Sequence, residues 1–367
     1  MAPSPTPELH FVLVPLLAQG HMIPMIDMAK LLAGHGVTTS LVTTPHNTAR
    51  FSETIRRARA SGLHIQLIEI PFPSQEVGLP PGCENLDSVP SRDLLRNFYC
   101  ALDKLQEPLE QYLQAHGPPP SCIISDRPHV SVGSDSEPFV IPGMPVDVEI
   151  TKAQLPGSFV ALPDLDDIRN QMQEAESNAY GVVVNTFSEL EAGCAEEYRK
   201  AVNKKIWCIG PVSLCNRETR DKFERGDRAS IGETKCLEWL DSKKPKSVLY
   251  ACLGSQCRLV PAQLIQLGLG PEESKHPFIR VIKTGVAGSQ ELENWLADEK
   301  FEERIRGRGG LLIKGWAPQA LVLSHPAVGG VPNTLRLEFN DRSRLLRGAY
   351  DHLAHVCRAI LEREANR

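Results

Sequence analysis

Four places along this 367-residue chain hold side chains that could do chemistry. The first is Gly20-His21, which follows the apolar run "HFVLVPLL" at 10–17. A histidine in the first turn of a helix after a buried strand lies at the carboxyl edge of an open parallel sheet, where ligands bind. The positive end of the helix disfavours the imidazolium, so His21 should be neutral and able to accept a proton near neutral pH. The second is Asp126, at the end of "SCIISD". There it could accept the other ring N–H of His21 and stabilise the imidazolium formed as the proton is taken. The plainer alternative has His21 capping its helix and Asp126 starting a turn, and position alone favours it.

The third place is "CLGS" at 252–255, where backbone N–H groups and the Ser255 hydroxyl could hold a diphosphate, although Gly-Ser turns are common. The fourth is "GWAPQ" at 315–319. Trp316 offers a flat face for stacking a base, the Ala317 backbone can read that base's edge, and Gln319 can reach a ribose hydroxyl. Trp316 reads equally well as a core residue. Neither G-x-G-x-x-G nor G-x-x-x-x-G-K-[ST] occurs, which argues against dinucleotide and P-loop sites, and so against an oxidoreductase.

The elements that must position these residues alternate. Strands are expected at 10–17, 37–45, 63–71 and 121–126, with helices after 20, at 47–61 and at 91–116, and a loop at 72–90. Buried apolar strands separated by helices indicate an open α/β sheet. The alternation breaks at 127–146, "RPHVSVGSDSEPFVIPGMPV", whose prolines rule out the amphipathic helix that a crossover needs. One βα unit is therefore expected to be missing. Alternation resumes with strands at 181–187 and 205–211 around a helix at 188–202. A polar stretch at 213–231 reads as an exposed linker, and the "RGD" inside it as solvated surface. A second series follows, with strands at 247–255, 278–283 and 309–316, helices at 261–274 and 290–307, and another helix opening at "PQALVLSH".

Composition bounds the class. Hydrophobic residues make up 41% of the chain, enough for a sizeable core, and the net charge of −5 points to no nucleic-acid or acidic-membrane partner. No apolar run approaches the roughly 18 residues of a membrane span. The opening "MAPSPTPELH" lacks the basic start and apolar core of a signal peptide. Ten cysteines are scattered with no C-x-x-C pair, which suits reduced thiols in a cytoplasmic protein better than disulfides or a zinc site.

The stretches "PLLAQGHMIPMIDMAKLLAGHG", "SDSEPFVIPGMP", "ITKAQLPGSF", "GVVVNTFSELE", "CLEWLDSKKPKSVLYACLGS" and "RGRGGLLIKGWAPQALVLSHPAVGG" resemble the plant family-1 UDP-glycosyltransferases that act on secondary metabolites such as flavonoids and terpenoids. The resemblance runs from about residue 9 to about residue 330. It implies two Rossmann-like doubly wound α/β domains facing a cleft (GT-B): an acceptor domain at 1–212, a linker at 213–231 and a UDP-sugar domain at 232–330. Carried onto this chain, it makes His21 the general base and Asp126 its supporting carboxylate, which reverses the preference that position alone gave. Ser255 becomes the diphosphate contact, Trp316 the uracil-stacking residue, Ala317 its edge-reading neighbour and Gln319 the ribose contact. The implied reaction is inverting transfer of a sugar, glucose above others, from a UDP-sugar to a small hydroxylated acceptor. It implies no metal, no other cofactor and a monomeric enzyme.

The chain departs from the family after Gly330. There the family reads close to "FLTHCGWNSTLEG" and later an acidic-Gln pair, whereas this chain continues "VPNTLRLEFNDRSRLLRGAYDHLAHVCRAILEREANR". The phosphate-binding His, the Asn-Ser pair, the ribose-binding Glu and the sugar-binding pair have no counterparts. Both domains are thus expected to be incomplete, with 331–367 an atypical helical tail. Hydrogen bonds to a charged group contribute about 1.5–3 kcal/mol each. Losing three would cost about 5–9 kcal/mol, enough to abolish micromolar donor binding. The chain is accordingly expected to be an incomplete form with impaired transfer, the alternative being a binding protein without catalysis. Arg280 also stands where the family usually has an aromatic residue.

Overall fold

The computed structural model describes residues 9–126, 138–140, 149–151, 165–252, 261–282 and 289–330. Contacts divide the chain into two compact units. The described part of unit one falls within Met1–Pro45 and Leu63–Cys215, and that of unit two within His46–Gly62 and Asn216–Phe339.

Unit one opens with β1 (His10–Val14), α1 (Gln19–Gly34) and β2 (Thr38–Thr43); α2 (Pro45–Ala60) then leads to β3 (Ile65–Glu69). Short 3-10 turns at Gln75–Val77 and Leu86–Ser88 interrupt the stretch expected to be loop. The single helix expected at 91–116 is two, α3 (Leu95–Asp103) and α4 (Gln106–Ala115), and β4 (Cys122–Ser125) follows. All pairings in this sheet are parallel and its order is β3-β2-β1-β4. On one face Val12, Val42, Ile68 and Ile70 pack with Leu105, Leu109, Tyr112 and Leu113 from α4 and the residue before it. The buried side of α1, with Met22, Ile26, Ala29 and Ala33, packs against β2. Apolar cover on both faces is what parallel strands require.

The remaining strands of unit one form smaller sheets. β5 (Pro138–Val140) and β6 (Glu149–Thr151) pair antiparallel. After α5 (Asp166–Asn178), β7 (Gly181–Val184) and β8 (Lys205–Cys208) pair parallel across α6 (Cys194–Val202) around Val184, Tyr198 and Ile206. Among the described residues β4 pairs with β1 alone, and Ile123 on β4 is exposed. The break expected at 127–146 lies largely outside the described residues.

The stretch expected to be an exposed linker is partly structured. It holds a 3-10 turn at Val212–Cys215 and α7 (Thr219–Phe223), and Asn216 and Gly226 are buried. Arg225 and Asp227 of the "RGD" are half-buried, not fully solvated. Within unit two, Arg57 of α2 forks onto Asp221 Oδ1 and Glu224 Oε2, both at 2.7 Å. Such planar guanidinium pairing joins α2 to α7.

The rest of unit two comprises α8 (Glu233–Asp241), β9 (Val248–Ala251), α9 (Pro261–Glu273), β10 (Phe278–Ile282), α10 (Ser289–Asp298), α11 (Phe301–Gly307), β11 (Gly310–Lys314), α12 (Gln319–Ser324) and β12 (Val328–Gly330). Its parallel sheet has the order β11-β10-β9-β12, the same first-to-fourth-strand pattern as unit one. Side chains alternate across it. Val248, Tyr250, Ile279, Val281 and Ile313 meet Cys236 and Leu240 of α8 and Val322 of α12. Phe278 and Ile282 meet Leu264, Leu292, Leu296, Phe301 and Ile305 from α9, α10 and α11. Arg280 lies between Phe278 and Ile282 on the strand and is 1% exposed. The helix expected at 290–307 is broken by Lys300, whose φ of 44° is left-handed. Arg304 of α11 then grips the buried Glu272 of α9 through Nε at 2.8 Å and Nη2 at 3.2 Å.

Phe301 is fully buried and its ring lies 4.9 Å from that of Trp295. Phe301→Ala should therefore destabilise the protein by about 3–5 kcal/mol, read as a lowered urea midpoint with little change in slope.

Candidate active site

In a sheet of this order, the crevice for a ligand opens where neighbouring strands send their connections to opposite sides, between β1 and β4. His21 and Asp126 sit on the two sides of that point. β1 ends at Val14, and α1 starts five residues later with His21 in its first turn. Asp126 directly follows β4, and its backbone N–H donates to the Val14 carbonyl at 2.9 Å, extending the strand ladder by one residue. The imidazole Nδ1 and Asp126 Oδ2 are 2.7 Å apart, a charge-assisted distance. The side chains are 37% and 28% exposed, so the pair is partly open to solvent. With Asp126 accepting from Nδ1–H, the basic lone pair of the neutral ring lies on Nε2.

The start of α1 has further support that the sequence did not reveal. Ala18 occupies the N-cap position without a side-chain acceptor, and the first turn holds no acidic residue. Asp87 supplies what is lacking, accepting the Gln19 N–H on Oδ2 at 3.0 Å. Leu86 N–H also donates to the Leu17 carbonyl at 2.8 Å. The only local hint was "ENLDS": Asn85 Oδ1 accepts the Asp87 N–H at 3.0 Å, a short Asx-type turn. Its docking onto a helix 68 residues earlier is a tertiary fact.

In unit two the structure brings Trp316, Ala317 and Gln319 together just after β11, whereas Ser255 lies outside the described residues. Trp316 is half-buried and not part of either core cluster, and its indole Nε1 is buried without a hydrogen-bond partner among the described residues. Its backbone is clamped by Ser230, whose N–H donates to the Trp316 carbonyl at 2.8 Å and whose Oγ accepts the Trp316 N–H at 3.0 Å. Gly315 makes the clamp possible. Its φ is +113°, and a Cβ there would lie 2.2 Å from Ser230 Oγ. Ala317 is 3% exposed in the core, leaving its backbone at the strand end. Gln319 is exposed, and its amide donates to Cys252 Sγ at 3.3 Å, bridging the start of α12 to the residue after β9. Burial pushes the Cys252 thiol up, opposed by hydrogen bonding such as that from Gln319, so Cys252 is a neutral thiol here.

Other parts of the surface offer less. An open depression of ≈ 610 Å³ is lined by Tyr180, Lys205 and Trp207 among others and shares no residue with the His21–Asp126 pair. Among the described residues no group of three or more His, Cys, Asp or Glu could hold a metal ion, and no helix is long and apolar enough to cross a membrane. None of the eight described cysteines is in a disulfide.

Two parallel α/β units of one strand order match the GT-B class of plant glycosyltransferases found among similar solved structures. Comparison with known proteins narrows this. UDP-glycosyltransferase 73D1 of Arabidopsis thaliana is 52% identical, covering 89% of this chain and 72% of its own length. The chain belongs to the plant UDP-glycosyltransferases, enzymes that transfer sugar from a UDP-sugar to small acceptors. Among solved structures, Glycyrrhiza uralensis UGT73P12 complexed with glycyrrhetinic acid 3-O-monoglucuronide is 33% identical with a TM-score of 0.74, covering 88% of this chain and 72% of that one. Arabidopsis thaliana UGT89C1 complexed with UDP-L-rhamnose is 27% identical with a TM-score of 0.63, covering 89% and 74%, and has also been solved with quercetin. No protein-family model matches the chain.

The Gly315–Ser230 contact leaves no room for a methyl group and needs positive φ. Gly315→Ala should cost about 2 kcal/mol of stability in chemical unfolding, and adding Ser230→Gly should recover the steric part but not the backbone part.

Proposed function

We propose that the chain acts as an inverting UDP-sugar transferase on hydroxyls of small plant metabolites such as flavonoids or terpenoids, with His21 as general base and its turnover impaired by the interrupted donor motif. The observation that carries this reading is the 2.7 Å contact between His21 Nδ1 and Asp126 Oδ2 at the switch point of the first sheet. It supports the tautomer in which Nε2 faces outward as a proton acceptor. The acceptor hydroxyl gives its proton to Nε2 as its oxygen attacks the anomeric carbon. The bond from that carbon to the UDP oxygen breaks on the opposite face, inverting the centre, and UDP leaves with the electron pair. Asp126 balances the imidazolium that results. No step in this scheme calls on a metal or a further cofactor.

On the donor side, the clamped Trp316 would stack on uracil, the Ala317 backbone would read its edge, Gln319 would meet the ribose, and Ser255 the diphosphate. Glucose is the proposed sugar and the cytoplasm the proposed compartment, with the enzyme acting as a monomer. The resemblance to relatives with UDP-sugar, quercetin and triterpenoid complexes supports the substrate classes. The sequence after Gly330 lacks the family's phosphate and sugar contacts, which supports weak donor binding and a poorly stabilised leaving group.

Calorimetric titration with UDP and then UDP-glucose tests the donor side. The expected result is binding weaker than micromolar for both, with UDP-glucose no tighter than UDP. Micromolar binding of both would show the phosphate site to be intact and the impairment wrong. Residual transfer to quercetin, followed by mass spectrometry, tests the base. His21→Ala should lower it by about 100-fold or more, and Asp126→Asn should lower it as well. Unchanged transfer in His21→Ala would sink the assignment of the base.

A further inference from the structure

The helix that carries His21 presents its positive end to the residue that must become an imidazolium. Four N–H groups at such an end lack partners within the helix, and their field opposes a cation. Ala18 cannot cap it, and the first turn has no carboxylate. Asp87 Oδ2 accepts the Gln19 N–H at 3.0 Å, two residues before His21 and so within about one 5.4 Å turn. The turn that delivers Asp87 is built for position. Asn85 is fully buried and holds the Asp87 N–H, the Ser88 hydroxyl donates to the Asn85 carbonyl at 2.6 Å, and Val89 is buried.

We propose that Asp87 is a positioning residue for His21: its carboxylate fixes the first turn of α1 and offsets the helix field, so that the imidazolium is stabilised from two sides. This rests on the reading of His21 as the base. Asp126 acts directly on Nδ1, and Asp87 acts through the helix end. Among the described residues the other charges near this edge are few. β1 and β2 bring none at their carboxyl ends, Glu69 closes β3 two strands away and is exposed, and the 3-10 turn Val212–Cys215 packed on α1 has none. Asp27 and Lys30 lie further along α1, and Glu84 precedes the Asp87 turn.

The test is the imidazole titration of His21, followed by NMR with carbon-13 histidine in the full chain and assigned by loss of its signal in His21→Gln. Asp87→Asn keeps a hydrogen-bond acceptor for Gln19 but removes the charge. Its His21 pKa should fall by about half a unit, because a lost negative charge disfavours the cation. Asp126→Asn should lower it by about one unit or more. Should Asp87→Asn fail to fold, Asp87→Ser, which also keeps a neutral acceptor, carries the same expectation. A purely structural cap would lower the melting temperature without moving the titration. An unmoved titration in a folded Asp87 variant, with a fall in Asp126→Asn, overturns this proposal and spares the His21–Asp126 pair. No movement in either variant overturns the pair itself, and with it the reading of His21 as the base.

Discussion

The parallel pairing of β1 with β4 is the constraint on which the candidate site rests. Its register sets Val14 beside Ser125, and the Asp126 N–H then bonds to the Val14 carbonyl. That places a carboxylate at the end of one strand next to the helix launched from the other. A shift of one residue would turn Asp126 to the opposite face, because side chains alternate along a strand. The hydrogen bond to His21 is therefore a property of the sheet before it is a property of either residue.

The same strand order recurs in unit two. β9 and β12 are the neighbours at its switch point, and β12 ends at Gly330. Up to that residue the packing is tight. A Cβ on Gly329 would lie 2.0 Å from the Lys246 carbonyl oxygen, so the strand approaches its neighbour closely enough to demand glycine. Among the described residues the strands that present Trp316 and Gln319 are closely packed, and Ser230 holds the Trp316 backbone in place.

The strands and their order of succession were legible from apolar runs, since a parallel strand buried on both faces leaves a continuous signature that periodicity finds. Boundaries were less so. The helix expected at 91–116 bends into two between Asp103 and Gln106, and that at 290–307 breaks at Lys300, where no glycine or proline marks the stop. The polar stretch at 213–231 reads as solvated, yet Asp221 and Glu224 are committed to Arg57. Charged residues look alike in sequence whether they face water or one another.

His21, Asp126, Ser255, Trp316, Ala317 and Gln319 could be put forward as candidates from residue type, strand ends and resemblance, and Ser255 lies outside the described residues. The sequence by itself determined two series of strands and helices and the chemistry each strand end could carry. The pairing of Asp126 with His21 was already expected from strand ends and resemblance, whereas only the tertiary structure decided the other partners: Asp87 for the end of α1, Ser230 for Trp316 and Cys252 for Gln319. Each of these contacts joins residues at least 67 positions apart. They arise from strand order and chain crossover, and nothing in a local window of sequence encodes them.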